Sequence, residues 1–369
     1  SKIINLPNNE ETDIISKLSY SKNNEIELAK LFLNSKSKFI HKDSENNIKN
    51  LIKNNKIDNN KIYHPTGIDF YNIQNKKICE LDLTQFNTEE KKYTTLKRST
   101  LIEFLKDDVY TQHLRFGKKI KEVTELKGKV LIKFEDNTND LVDLVIGADG
   151  IFSNTRSFFE KKKNEPKFKK AIAVRTILKT KSELKIDEQR ISLMMGKNCH
   201  IVIYPLNQNK ELNLVCIIRD KKYDPDNIKT LVNKVVTQNS NLEKVFEGDL
   251  KSWPLYFTPK ILPSTNSKVF YIGDAFNGFL PTLAQGAGQS IESAHELFNL
   301  IKDDKAEIQN TYFKERSRRA KIVKRRSNIN FFAFHFSSSI MQTLRNFFMK
   351  FLVKRKSFVN SYLGIVYKN

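Results

Sequence analysis

The first sixty residues alternate between short apolar runs and polar stretches. Apolar runs at 2–6 and 25–32 flank a stretch at 12–22 whose apolar residues recur at helical spacing. This order predicts a strand, a helix and a second strand, so the chain begins as a βαβ unit. Residues 33–60 are polar and rich in Asn, which predicts at most a weak helix there.

The rest of the chain changes from strand spacing to helix spacing. Arg98–Lys106 is predicted to be a helix, and everything after about Gln285 has a helical period. Strands are predicted from alternating or continuous apolar runs at 62–83, 120–125, 129–135, 141–147, 168–220 and 268–272. The strands of 168–220 indicate a sheet separate from the opening βαβ unit.

Composition narrows the function only slightly. With 369 residues and 39% hydrophobic content, the chain can form two domains, or one discontinuous domain with an insertion. A net charge of +22 suits nucleic acid, an anionic membrane or an anionic cofactor, but lysine enrichment on solvated faces explains it equally well. No nucleic-acid-binding module is recognisable, so we expect no nucleic-acid partner.

Cysteine spacing and hydropathy favour a cytoplasmic protein without a metal. Cys79, Cys199 and Cys216 show no CxxC spacing and are odd in number, so we predict neither a disulfide framework nor a zinc site. No charged and apolar leader opens the chain, and no apolar run approaches ~18 residues. Secretion and a membrane-spanning helix are therefore not expected.

The first segment with chemical content is 143–156, an apolar strand that runs into Gly-Ala-Asp-Gly. It places Asp149 and the flexible Gly150 at the carboxyl edge of a sheet, where α/β folds bind ligands. Ser153 and Arg156 follow as a helix cap and a cation. An ordinary Asp-Gly turn is the alternative for the acid taken alone.

The second segment, 268–292, has a similar arrangement. A buried strand runs into Gly273 and Asp274, and Pro281 precedes the small residues that open a helix. An acid at a strand end can accept hydrogen bonds from sugar-like hydroxyls. The exposed backbone N–H groups of such a helix stabilise negative charge; they belong to Gln285, Gly286, Ala287 and Gly288.

Two such motifs in this order, ~120 residues apart, resemble the FAD-dependent aromatic-ring hydroxylases and monooxygenases. The likeness is to the salicylate-hydroxylase-like branch with the p-hydroxybenzoate-hydroxylase fold. The resemblance implies that FAD contacts Asp149, Gly150, Gly273, Asp274, Pro281, Gln285, Gly286, Ala287 and Gly288. Arg98 opens an Arg-x-x-Leu helix start like that of the family and would approach the flavin, although a solvated helix-end cation is the alternative.

The implied fold class is α/β, a Rossmann-like FAD-binding domain with an inserted antiparallel β-sheet substrate domain and C-terminal helices. We predict that the FAD-binding domain is discontinuous. The predicted ranges are 1–60, 95–165 and 262–305 for the FAD-binding domain, 61–94 and 166–261 for the substrate domain, and 306–369 for a basic helical region.

The implied reaction is monooxygenation with NAD(P)H as co-substrate and a small aromatic or apolar substrate. No constellation of catalytic side chains stands out, as expected where the cofactor carries the chemistry, so catalytic residues are not assigned. The histidines are scattered; His200 is the best candidate near a substrate, with a structural role as the alternative. A flavin-dependent reductase is an alternative interpretation of the same motifs.

The chain departs from the family at its first cofactor motif. Where GxGxxG is expected, Pro7, Asn9 and Thr12 stand instead, and Lys30 replaces the acid after the second strand. Each change opposes dinucleotide binding, so a non-catalytic homologue that has lost FAD is a second alternative. Smaller departures are Asn277, Ala284 and Ser293.

The C-terminal stretch 314–356 is basic and aromatic. Cations cluster at 314–326 and again at 345–356, the second time beside several phenylalanines. Such a stretch can lie on an anionic membrane as an amphipathic helix. The alternative is an ordinary helix pair whose phenylalanines pack on the core.

Overall fold

The computed structural model divides into two compact units. The described residues are 5–6, 58–84, 87, 92–106, 114–159, 164–178, 184–237, 239–246, 248, 250–261, 268–303 and 307–362. The first unit comprises the described residues of 1–42, 98–167 and 256–327. The second comprises those of 43–97, 168–255 and 328–369.

The described strands follow the alternating and continuous apolar runs of the sequence. They are β1 (Asn5–Leu6), β2 (Ile62–Tyr63), β3 (Gly67–Asn72), β4 (Lys77–Asp82), β5 (Thr95–Leu96), β6 (Arg115–Phe116), β7 (Ile120–Leu126), β8 (Lys129–Phe134), β9 (Asn139–Val142), β10 (Val145–Gly147), β11 (Lys167–Leu178), β12 (Ile191–Gly196), β13 (Cys199–Leu206), β14 (Glu211–Arg219), β15 (Lys251–Phe257) and β16 (Val269–Tyr271).

The described helices concentrate in the C-terminal part of the chain, as the sequence predicts. They are α1 (Arg98–Lys106), α2 (Asn154–Ser157), α3 (Ile228–Val236), α4 (Ser240–Val245), α5 (Gly273–Phe276), α6 (Gly286–Lys302), α7 (Ile308–Phe334), α8 (Ser339–Leu352) and α9 (Lys356–Tyr362). The bounds of α1 confirm the predicted helix.

The first unit contains a parallel strand pair and a small antiparallel sheet. β10 pairs with β16, and β7, β8 and β9 form an antiparallel meander. β1 pairs in parallel with β6. One core joins the meander and the pair of β10 and β16 to α6 and to α7, and its buried side chains include Val130, Phe134, Ile272, Leu297 and Ala320. The parallel pair therefore has its carboxyl ends at one edge of a packed layer.

The second unit is built on a mixed seven-stranded sheet in the order β15-β11-β14-β13-β12-β3-β4. Successive residues of each strand point to opposite faces of this sheet. One face packs against α3 and α4 through side chains such as Leu214, Cys216 and Val232. On the other face, part of the surface packs against the end of α7 and against α8 through Leu193 and Phe334.

One sequence prediction needs correction. The run 141–147 is not one buried strand, because the chain bends at Asp143 between β9 and β10 and Leu141 lies exposed on the edge strand β9. In the C-terminal part of the chain, described residues through Ser327 belong to the first unit and later ones to the second.

Candidate functional site

The loop after β10 is held by its own carboxylate. Asp149 accepts hydrogen bonds from Oγ of Ser153 at 2.5 Å and from the amide of Thr155 at 2.8 Å. Ser153 in turn caps α2 by accepting from the amide of Arg156 at 2.9 Å. Gly150 has φ 79°, a left-handed conformation that a side chain would disfavour. The sequence therefore encodes a rigid loop at this sheet edge.

Arg156 links this loop to the second motif. Its guanidinium is buried and donates from Nη1 to the carbonyl of Ala275 at 2.9 Å and from Nη2 to that of Ile151 at 3.1 Å. The sequence predicted a cation on this helix, and the structure shows that it is buried against two backbone carbonyls. A Cβ added at Gly278 would lie 2.3 Å from Cδ1 of Ile151, so the two segments approach as closely as glycine permits.

Backbone pairing brings both motifs to one edge. Gly147 lies opposite Tyr271 in the parallel pair, and the amide of Ile272 donates to the carbonyl of Gly147 at 3.0 Å. Asp149 comes two residues after the end of β10, and Asp274 comes three residues after the end of β16. Because parallel strands end at the same edge, the two acids and their glycines follow the strands on one side of this pair.

Asp274 lies in the first turn of α5 in a protected environment. Burial raises the pKa of its carboxyl group to about 6, and the positive charge of Arg98, at the start of α1, opposes this shift. The structure thus brings together two residues that the sequence placed 176 positions apart. The amide of Gly273 donates to Oγ of Ser293 at 3.0 Å, so the departure at Ser293 still supports the turn.

The segment before α6 is a tethered turn. Residues Pro281–Leu283 form a 3₁₀ turn, and Oγ1 of Thr282 donates to the carbonyl of Ser327 at 2.7 Å. Ser327 also donates from Oγ to the carbonyl of Leu280 at 2.6 Å. Ala284 follows with φ 53°, a left-handed conformation that costs an alanine about 1–2 kcal/mol. Glycine, common in the family at this position, avoids that cost.

The amino end of α6 is open. Gln285 occupies the cap position without a side-chain hydrogen bond to the helix, and Gly286, Ala287 and Gly288 are exposed. A Cβ at Gly286 would meet no atom within 4 Å. The uncapped N–H groups of a 17-residue helix stabilise negative charge, so this end of α6 can approach an anionic group. These features fit the flavin that the motifs imply.

A buried ion-pair network holds α6 from behind. Nη1 of Arg316 lies 3.0 Å from Oε1 of Glu292 and 2.9 Å from Oε2 of Glu296, and Nη2 donates to Oε1 of Gln289. Arg319 also pairs with Glu292, at 2.9 Å. The side chain of Arg316 is 2% exposed, so this part of the basic stretch is internal. This network was not among the sequence predictions, although Glu292 and Glu296 lie one helical turn apart.

The remaining residues that the sequence singled out have different surroundings. The side-chain amide of Asn277, adjacent to α5, is buried and has no hydrogen-bond partner among the described residues. His200 belongs to the second unit, where its Nδ1 lies 3.1 Å from Nε2 of the buried His335, so it forms a structural pair. Pro7, Asn9, Thr12 and Lys30 lie outside the described residues.

The cysteines, possible metal ligands and helix hydropathy were also considered in the sequence, and the structure describes each of them in part. Cys79, Cys199 and Cys216 are free thiols, and no group of three His, Cys, Asp or Glu side chains among these residues could hold a metal ion. None of the helices described is both long enough and apolar enough to cross a membrane.

The parallel pair with acid-glycine turns, the large antiparallel sheet and the C-terminal helices form the fold of FAD-dependent aromatic hydroxylases and monooxygenases. This confirms the predicted fold class. The chain belongs to the squalene epoxidase family, whose model matches residues 141–366.

Named relatives agree with that class. Over 235 residues the chain is 26% identical to a salicylate hydroxylase of Pseudomonas putida, covering 55% of this chain and 54% of that protein. Over 271 residues it is 24% identical to 3-amino-4-hydroxybenzoate 2-monooxygenase PtmB3 of Streptomyces platensis, covering 69% and 67%. The chain thus spans about half the length of the salicylate hydroxylases that it matches.

Solved structures share the fold at low sequence identity. Klebsiella pneumoniae HpxO complexed with FAD and uric acid superposes with a TM-score of 0.77 at 12% identity, covering 99% of this chain and 97% of that one. A salicylate hydroxylase substrate complex gives a TM-score of 0.69 at 16% identity, with 94% and 96% coverage.

Proposed function

We propose that this protein is an FAD-dependent monooxygenase that uses NAD(P)H and O2 to hydroxylate or epoxidise a small aromatic or apolar substrate. The observation that carries the proposal is the sheet edge shared by the Asp149 loop, Asp274 and the open end of α6. FAD, when bound, supplies the redox chemistry between NAD(P)H and oxygen. The names of the relatives, hydroxylases and monooxygenases of aromatic acids, support this reaction class.

Each element of the edge has a proposed part in holding the cofactor. The N–H groups of Gln285–Gly288 stabilise the negative charge of a reduced flavin ring, which Pro281 flanks. Asp274, when ionised, accepts hydrogen bonds from ribityl hydroxyls, and Arg98 favours that ionised form. Both carboxylate oxygens of Asp149 are already engaged by its own loop. Asp149 therefore acts by shaping the backbone around Gly150.

The two alternative functions predict different experimental results. A non-catalytic homologue would bind no flavin, whereas a flavin-dependent reductase would oxidise NAD(P)H without forming an oxygenated product. The visible absorbance of the purified protein separates the first rival from the two flavoproteins. Product analysis after NAD(P)H oxidation separates the reductase from the monooxygenase.

The role of Asp274 can be tested by titrating FAD into wild type and D274N. Loss of a charge-assisted acceptor, about 1.5–3 kcal/mol, should weaken FAD binding by roughly tenfold or more. D143N is the matched control, because Asp143 follows β9 in the same unit with an exposed side chain. Equal FAD affinity in wild type and D274N contradicts the assigned role.

We also propose a peripheral contact with anionic membrane, made by α8 and the residues after it rather than by all of 314–356. One side of α8 exposes a continuous apolar stripe: Ile340, Leu344, Phe347, Phe348 and Phe351. Phe347 is 66% exposed, whereas Arg345 on the inner side is buried and donates to the carbonyl of Ala333 at 3.1 Å. The stripe thus faces outwards with the geometry of an interfacial helix.

The charges beside the stripe suit an anionic surface. Lys350, Lys354, Arg355 and Lys356 are exposed, and residues 316–369 contain no Asp or Glu. The full-length F347S/F348S/F351S variant should lose cosedimentation with phosphatidylserine-containing vesicles, and salt should weaken binding of wild type. F332S, which changes an exposed phenylalanine of α7, is the control. Binding that the triple variant retains contradicts this contact.

A further inference from the structure

A groove runs along part of α7 in the first unit. Its volume is about 620 Å³, which is within the range of small-molecule sites. The residues that line it come from three successive turns of the helix: Phe313, Lys314, Ser317, Arg318, Lys321 and Ile322. We call these six residues the α7 groove. At the rise of an α-helix they extend over about 13 Å, which is long enough for an elongated ligand.

The apolar side chains of the α7 groove lie at its two ends. Phe313 and Ile322 are half-buried, and the small, buried Ser317 lies between them along the helix. Phe313 packs against the core of the first unit, and its ring centre is 6.2 Å from that of Phe276 in α5. The groove therefore presents apolar surface that the core holds in place.

Three cations of the α7 groove lack acidic partners. Lys314, Arg318 and Lys321 are exposed. Spacings of four and three residues place them on one side of the helix, where like charges repel each other. Among the residues that the structure describes, none of these three cations forms an ion pair. An anionic group bound in the groove would relieve this repulsion.

The acidic side chains nearby are directed to a different side of α7. Glu292 and Glu296 of α6 pair with Arg316 and Arg319. The charge of Glu315 contributes to the raised pKa of Glu296, so Glu315 also lies towards α6. The helix thus separates its cations into two that pair with acids of the protein and three that stay available to an external anion.

We propose that the α7 groove binds a long-chain fatty acid, with its carboxylate at the three cations and its acyl chain over Phe313 and Ile322. A small inorganic anion would leave the apolar surface uncovered, and an uncharged chain would leave the cations unpaired. The planar guanidinium of Arg318 suits a carboxylate in particular. This site goes beyond the monooxygenase reaction and holds whether or not the protein carries flavin.

The first measurement is calorimetric titration of the full-length protein with dodecanoate, below the concentration at which micelles form. Binding should be saturable. Octanoate should bind about tenfold more weakly or worse, because its shorter chain covers less apolar surface. Dodecyltrimethylammonium, which has the same chain and the opposite charge, should not bind. Binding of the cationic amphiphile as tight as that of dodecanoate overturns the proposal.

Variants then assign the contacts. K314Q/K321Q should weaken dodecanoate binding about tenfold or more. I322Q should reduce the preference for dodecanoate over octanoate. The matched control is K127Q/K129Q, because Lys127 and Lys129 lie beside the exposed Leu126 and Leu141 in a smaller groove of about 300 Å³ on the meander of β7, β8 and β9. This control should bind dodecanoate like wild type.

Chemical protection locates the ligand without any substitution. Dodecanoate should slow the acetylation of Lys314 and Lys321 by acetic anhydride, measured by mass spectrometry, and leave Lys127 unchanged. Thermal unfolding of each variant ensures that only folded proteins are compared. Equal affinity in wild type and K314Q/K321Q, or loss of binding in K127Q/K129Q instead, overturns the site.

A membrane surface is the other source of anionic amphiphiles. If monomeric dodecanoate fails to bind while K314Q/K321Q abolishes cosedimentation with phosphatidylserine-containing vesicles, the α7 groove is a membrane contact and the fatty-acid proposal is wrong. Flavin absorbance is recorded for every preparation. Dodecanoate binding that depends on Lys314 and Lys321 in protein without flavin upholds the groove, so its outcome is separate from that of the monooxygenase proposal.

Discussion

Arg316 gives the sharpest test of how the site is supported. R316M keeps an apolar stem of similar length but removes the charge that faces Glu292 and Glu296. Glu292 retains Arg319, whereas Glu296 keeps no other cation among the described salt bridges. Breaking a buried pair and leaving one partner charged costs about 3–5 kcal/mol, and we expect the lower end because Glu296 is partly exposed.

The pH dependence of this loss has a definite sign. Burial already raises the pKa of Glu296 while Arg316 lowers it, so R316M should raise that pKa further. A glutamate whose folded-state pKa exceeds its unfolded-state value destabilises the protein at high pH, and protonation relieves this cost as the pH falls. The deficit of R316M should therefore be largest near pH 8 and shrink towards pH 5.

Urea unfolding followed by circular dichroism at both pH values measures the deficit from the shift in midpoint. R319M is the control: its side chain is more exposed, and Glu292 would keep Arg316, so the loss should be about 1 kcal/mol or less. A loss below about 1 kcal/mol for R316M at pH 8, or an equal deficit at both pH values, refutes the reasoning.

Three further outcomes are expected. A284G removes the left-handed strain at φ 53° and should raise stability by roughly 0.5 kcal/mol in thermal unfolding, because unfolded-state entropy offsets part of the gain; a lower melting temperature contradicts this. Burial lowers the pKa of His335 to about 4 and that of His200 well below 6.5, so stability should fall as the pH drops from 6.5 to 4, and H200F/H335M should flatten this slope in urea titrations. P7G/N9G/T12G should strengthen FAD binding but leave riboflavin, which lacks the phosphates, unchanged; equal gains for both ligands contradict a phosphate-specific effect.

The sequence predicted the site where local rules determine the geometry. Two strands that are each followed by a glycine and an acid bring those segments to one edge once the strands pair in parallel, and the strands before Asp149 and Asp274 do pair in this way. The electrostatic effect of Arg98 on Asp274 was not predicted, because the two residues lie 176 positions apart in the chain. Spacing alone carries no information on such pairs.

Other features depend on tertiary packing that composition cannot reveal. Arg316 and Arg318 are both arginines of one basic run, yet Arg316 is buried among carboxylates and Arg318 is exposed. The signal that separates them is the turn spacing of Glu292 and Glu296 on the facing helix. The pair of His200 and His335 leaves no such signal, because its partners belong to a strand and a distant helix.

Helix α8 shows where periodicity stops being informative. The spacing of Ile340, Leu344, Phe347 and Phe351 correctly places them on one side of the helix. An apolar side of a helix usually packs on the core, but here the opposite side of α8 makes the contacts with the protein. Arg345 donates a hydrogen bond to the carbonyl of Ala333, and Met349 packs against the cluster around Phe334. The spacing of apolar residues identifies those that share a face of the helix. The contacts made by the opposite side determine whether that face packs against protein or stays available to a membrane.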